Sequence, residues 1–130
     1  MSFARRIVRL FLAPRRPESS PTSDEELRNC ALSLAQDWGE HWLKPIQSRL
    51  ATAYPTLSTE QLDNYNAIAQ AAMKTGHDLV YRLAESHGAN LDRAVWRSAY
   101  GAQYPWVNER NLERLFSTGM YYAWKDGVGV

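Results

Sequence analysis

Cysteine is nearly missing from this chain: Cys30 stands alone among 130 residues, so no disulfide can form within it, and such usage fits a reducing compartment. No run of about 18 apolar residues occurs, which leaves no candidate for a membrane-spanning helix. Strand signals are absent too. No segment alternates apolar and polar residues with period two, and the one Asp126-Gly127 pair closes a helical pattern rather than joining two strand-like runs. Neither a Gly-rich phosphate loop nor a Gly-x-Ser-x-Gly elbow is present. Finally, acidic residues are missing from the first sixteen positions, which carry Arg5, Arg6, Arg9, Arg15 and Arg16. The other 114 residues carry 10 Lys or Arg against 14 acids, so a near-neutral total hides a polarised chain.

Plotted at 100° per residue, Phe3, Ala4, Ile7, Val8, Leu10 and Phe11 share one side of a helix, and Arg5, Arg6 and Arg9 share the other. That separation predicts a basic amphipathic helix that lies on a surface. Arg9 interrupts the apolar run that a secretory signal would need. Pro14 and Pro17 end the pattern. The chain therefore divides into a basic amphipathic segment (1–16), a linker (17–22) and a body (23–130). Phe3, Arg5, Arg6, Ile7, Arg9, Leu10 and Phe11 are the expected docking residues of the segment. Their target is either an apolar groove, on the body or on a partner, or an anionic membrane surface, where each Arg contributes about 1 kcal/mol. Nucleic acid is disfavoured, since no base-reading module accompanies the charges.

The body reads as all-α, an irregular bundle of about five helices. Ser23 with Glu26 and Ser58 with Gln61 are capping boxes. Behind the first, Leu27, Cys30, Ala31, Leu34, Ala35, Trp38, His41 and Trp42 keep helical spacing, which predicts a helix to about Leu43. A short helix after Pro45 ends at Pro55. A long one runs from Thr59 to about Ser86, its apolar stripe passing straight through Gly76, which marks a close crossing, and Gly88 stops it. Asn90 is the expected cap of the next helix, with Leu91, Ala94, Val95, Ser98 and Ala102 inward. The last helix turns Leu112, Leu115, Phe116, Gly119 and Ala123 inward, and Tyr121 and Trp124 outward.

Chemistry-bearing residues are sparse. Asp37 and His41 stand at i and i+4, and with His77 they are the one set from which a metal-dependent or ligand-binding bundle enzyme could be built. No Glu-x-x-His pair supports it, Cys30 sits on an apolar stripe, and no cofactor motif occurs, so no cofactor is expected. The stronger lead is aromatic. Trp96, Tyr100, Tyr104 and Trp106 fall within eleven residues, beside Arg93 and Arg97, the composition of binding hot spots. Either these rings form a second core layer, or they form an exposed patch for a partner protein. The sequence thus predicts a small non-enzymatic interaction module, an adaptor, inhibitor or regulator, that is cytoplasmic or peripheral to a membrane. It does not specify the oligomeric state.

Overall fold

In the computed structural model, which describes residues 23–128, the chain forms five α-helices linked by short turns, with no strand among the described residues. The expected amphipathic helix of residues 1–16 and the linker 17–22 lie outside the described residues. Helix α1 spans Asp24–Ala35, α2 Gln47–Ala53, α3 Thr59–His87, α4 Arg93–Gln103 and α5 Glu109–Lys125. Both capping boxes form as their sequences imply. Ser23 Oγ accepts from the Glu26 N–H at 3.1 Å while Glu26 Oε1 accepts from the Ser23 N–H at 3.0 Å. Ser58 and Gln61 repeat the exchange at 3.1 and 2.8 Å. Each box satisfies donors that the first turn of a helix leaves without partners.

Two helical limits differ from the sequence reading. Helix α1 stops at Ala35 rather than Leu43 because its last carbonyls are taken by arginines from elsewhere. Arg49 Nη1 donates to Leu34 O and Arg114 Nη2 to Gln36 O, each at 2.9 Å. Gly39 then turns the chain at φ 82°, a left-handed conformation that glycine adopts without steric cost. The cap of α4 is Asp92, whose carboxylate accepts from Ala94 N–H at 2.9 Å; Asn90 instead belongs to a 3₁₀ turn, Gly88–Asn90.

Helices α1, α3 and α5 run parallel, and α2 and α4 carry the chain back between them. Level by level along α1 and α5, Asn29 meets Asn111, Gln36 meets Arg114, and Trp38 meets Tyr121 and Tyr122. Along α3 and α5, Gly76 meets Leu115, Val80 meets Gly119, and Tyr81 meets Tyr122. The α3–α5 crossing is close because both helices present glycine. A Cβ on Gly119 would lie 2.8 Å from Val80 Cγ2, and one on Gly76 would lie 3.3 Å from Leu115 and Tyr100 atoms. The close crossing read from Gly76 is therefore present.

A buried amide network ties α1 to the start of α5. Asn29 donates to Trp106 O at 2.8 Å and accepts from the Asn108 N–H at 2.9 Å. Asn111 donates to Asn29 at 3.0 Å and accepts from Gln36 Nε2 at 3.0 Å. Joined in this way, with Gln36 Oε1 left buried without a hydrogen-bond partner, the amides specify one register of helix against helix.

The junctions α2–α3 and α4–α5 are the same structure, fifty positions apart. Tyr54-Pro55-Thr56-Leu57-Ser58 and Tyr104-Pro105-Trp106-Val107-Asn108 each follow a helix and cap the next. In both, the tyrosine before proline is held outside the helical region in nearly the same conformation, at φ −135° ψ 80° and φ −128° ψ 65°. Leu57 N–H and Val107 N–H donate to the tyrosine carbonyls at 3.2 Å in each case. Above these turns the buried pairs Ile46 and Leu50, and Trp96 and Tyr100, occupy matching positions. The body is thus α1 followed by two helix–turn–helix units, α2–α3 and α4–α5.

Candidate functional site

The aromatic patch expected around α4 is a core layer. Trp96 and Tyr100 are fully buried, while Val95 is 39% exposed and Ala94, Ser98 and Ala102 are exposed, so α4 turns the opposite face inward from the one the small residues suggested. The reason is the combination of area and a satisfied polar tip. Each ring buries about 150–250 Å². Trp96 Nε1–H donates to Gly76 O at 3.0 Å, and Tyr100 OH donates to Ala72 O at 2.9 Å. The rings stack at 4.9 Å, and Tyr104 stacks on Tyr100 at 4.9 Å while its hydroxyl donates to Thr75 Oγ1. Half-buried Trp106 lies against Tyr104 and beneath the Arg28 guanidinium, 5.6 Å from its ring centre. Arg93 packs over Phe116 and pairs with Glu113; Arg97 pairs with Glu109. In this fold Trp96 and Tyr100 have no surface to offer a partner.

A second aromatic assembly occupies the other end of the parallel helices, and it is exposed. Trp38 is 52% exposed, Tyr121 45% and Trp124 67%. Trp38 stacks on Trp42 at 4.9 Å and on Tyr122 at 5.9 Å, with Tyr121 edge-on to it at 6.2 Å. Tyr121 in turn touches Trp124 at 6.2 Å. Leu43, next to Trp42, is 65% exposed and sits at φ 65°. For a side chain with a Cβ that conformation costs about 1–2 kcal/mol. The connector between α1 and α2 is therefore held in place by its surroundings. Asp37 pairs with Arg49 at 3.2 Å and faces Arg114 at 3.9 Å, and these are the same arginines that close α1. The outward placing of Tyr121 and Trp124 is readable from the period of α5. Trp38 and Trp42 are not separable by spacing from the core stripe of α1, although Gly39 between them is the signal that breaks it.

Beneath Trp42 and Tyr122 lies His77, its ring centre 6.4 Å from each. Burial pushes its pKa down to about 4, against a smaller upward pull from Asp78. Its Nε2 is buried without a hydrogen-bond partner. Beside the assembly, between α3 and α5, runs a groove of about 310 Å³ floored by Ala84 and Ala123 and walled by Ser117, Met120, Tyr121, Trp124 and Val128. Tyr81 spans the same two helices, donating to Tyr122 O and pairing with Asp126.

The set Asp37, His41 and His77 is not assembled into a metal centre. Asp37 faces Arg49 and Arg114, His41 faces Glu40 at 3.5 Å, and His77 is covered by rings. No group of three His, Cys, Asp or Glu side chains able to hold a metal ion occurs among the described residues. Cys30 lines a polar groove of about 390 Å³ with Tyr54 and Asn108, and burial raises its pKa, the opposite of what a nucleophilic thiol needs. No helix among the described residues is long and apolar enough to cross a membrane. Comparison with known proteins attaches no activity to this arrangement: no family model matches the sequence, and no curated protein or solved structure is similar to it.

Proposed function

We propose that the protein is a small non-enzymatic interaction module, an adaptor, inhibitor or regulator, that binds a protein partner through the Trp38–Leu43–Tyr121–Trp124 end of its helical body. One observation carries this reading. Four large apolar side chains, from the α1–α2 connector and from α5, stand exposed at one end of a bundle whose interior is otherwise filled. Exposed tryptophans cost solvation without contributing to the core, and rigid rings of this kind form the anchors of binding surfaces. The residues expected from the sequence to bind, Trp96 and Tyr100, give the body its rigidity instead.

The basic segment 1–16 supplies a second contact. Its five arginines and the apolar side of Phe3, Ile7, Leu10 and Phe11 suit reversible attachment to an anionic membrane surface or to a partner. The test is capture from native lysate by the full chain and by the Trp38→Ala/Trp124→Ala variant. A defined protein retained by the first and lost by the second supports the reading. Equal capture by both overturns it.

A further inference from the structure

We infer that the groove between α3 and α5 is a docking site for the chain's own basic segment, which lies in it through Phe3, Ile7, Leu10 and Phe11. This deepens the proposed function, because the groove shares Tyr121 and Trp124 with the binding end. Ser117, Met120, Tyr121 and Trp124 stand at i, i+3, i+4 and i+7, the spacing by which one helix receives another, with Met120 at the edge of the core and Ser117, Tyr121 and Trp124 exposed. The core face of the same helix already packs against α3, so this outer stripe is a second packing surface. The segment has the matching pattern, with its own apolar positions at i, i+4, i+7 and i+8.

Charge points the same way. The segment carries five arginines and no acid. The body, residues 23–130, carries 10 Lys or Arg against 13 acids, the opposite sign to the segment; around the groove, exposed Glu85 follows Ala84, while Glu113 is paired with Arg93 and Asp126 with Tyr81. Opposite net charge steers an arginine-edged apolar segment toward the body in preference to an uncharged one.

The chain can reach. From Ser23 to the level of Asn29, then along α5 from Asn108 to Ser117, the rise is about 22 Å at 1.5 Å per residue. Residues 14–22 can extend about 30 Å. The tether holds the segment at an effective concentration on the order of millimolar, so a weak contact suffices to fill the groove. Bound there, the apolar side of the segment is withheld from any other surface.

Hydrogen exchange and acrylamide quenching of tryptophan, both on the full chain, test this. The variants are Leu10→Asp, outside the helical body, and Tyr121→Ala/Trp124→Ala, in the groove. Protection of the amides of residues 3–13 in the wild type, lost in both variants and independent of protein concentration, supports the docking. So does greater quenching in Leu10→Asp than in the wild type. Unprotected amides in the wild type overturn it. Protection that survives the groove variant, or that grows with concentration (a second copy), or that appears only with anionic phosphatidylserine vesicles, overturns it as well. The two readings fail separately. Capture of a partner lost in the Trp38→Ala/Trp124→Ala variant, with unprotected residues 3–13, would sink the docking and keep the interaction surface. Protection without any effect on capture would do the reverse.

Discussion

The molecule holds two aromatic assemblies of similar size in opposite surroundings. Around α4, Trp96, Tyr100 and Phe116 are buried, and the polar tips of Trp96 and Tyr100 donate to carbonyls of α3. At the far end, Tyr121 lies edge-on to Trp38 and tilted against Trp124, and all three rings remain about half exposed or more. Ring content does not separate them. What separates them is whether a neighbouring helix backbone lies within reach of the indole or phenol tip. Gly76 brings that backbone near at α4, and the connector after α1 has no equivalent.

The sharpest way to break the contrast is to truncate one ring of each kind. Trp96→Ala should cost about 3–5 kcal/mol, measured by urea or thermal unfolding, because it empties a fully buried site. A loss of less than about 1 kcal/mol would show that the α4 layer is not core.

His77, lying between the exposed rings and the core, comes next. The unfolded chain takes up a proton near pH 6.5, whereas the folded chain resists it until about pH 4. Stability is therefore full above pH 6.5, falls as pH drops toward 4, and loses nothing more to this group below that. The loss approaches about 3 kcal/mol, since each tenfold difference in proton affinity between the two states is worth about 1.4 kcal/mol. His77→Gln should flatten the stability curve between these values; an unchanged slope would mean that His77 is open to water.

Gly119→Ala should cost about 1–3 kcal/mol, since the new methyl meets the Val80 side chain and overpacking exceeds the gain in helix propensity. Stabilisation would show that α3 and α5 can separate freely. The smallest stability effect belongs to the exposed assembly. Trp124→Ala should shift unfolding by no more than about 0.5 kcal/mol, and a larger loss would mean that its ring supports the fold rather than a partner.

Some of this is legible without coordinates. The two capping boxes, the long helix through Gly76, the inward face of α5 and the outward Tyr121 and Trp124 follow from spacing and local hydrogen bonding, which act within a few residues. The repeated Tyr-Pro turns are legible as well, because proline constrains the residue before it wherever it occurs. The end of α1 is not legible, since Arg49 and Arg114, which close it, come from distant parts of the chain. The inward face of α4 departs from its small-residue stripe for a related reason. That stripe and an aromatic stripe compete for one core, and the outcome depends on the carbonyls of α3 opposite them.

By itself the sequence determined the helical class, the charge polarity between the opening segment and the body, and most helix starts, because capping and periodicity are local properties. Trp124 apart, only the tertiary structure decided which tryptophans are core and which are surface. That choice rests on hydrogen-bond partners and packing space contributed by residues far away in the chain, and no local pattern encodes them.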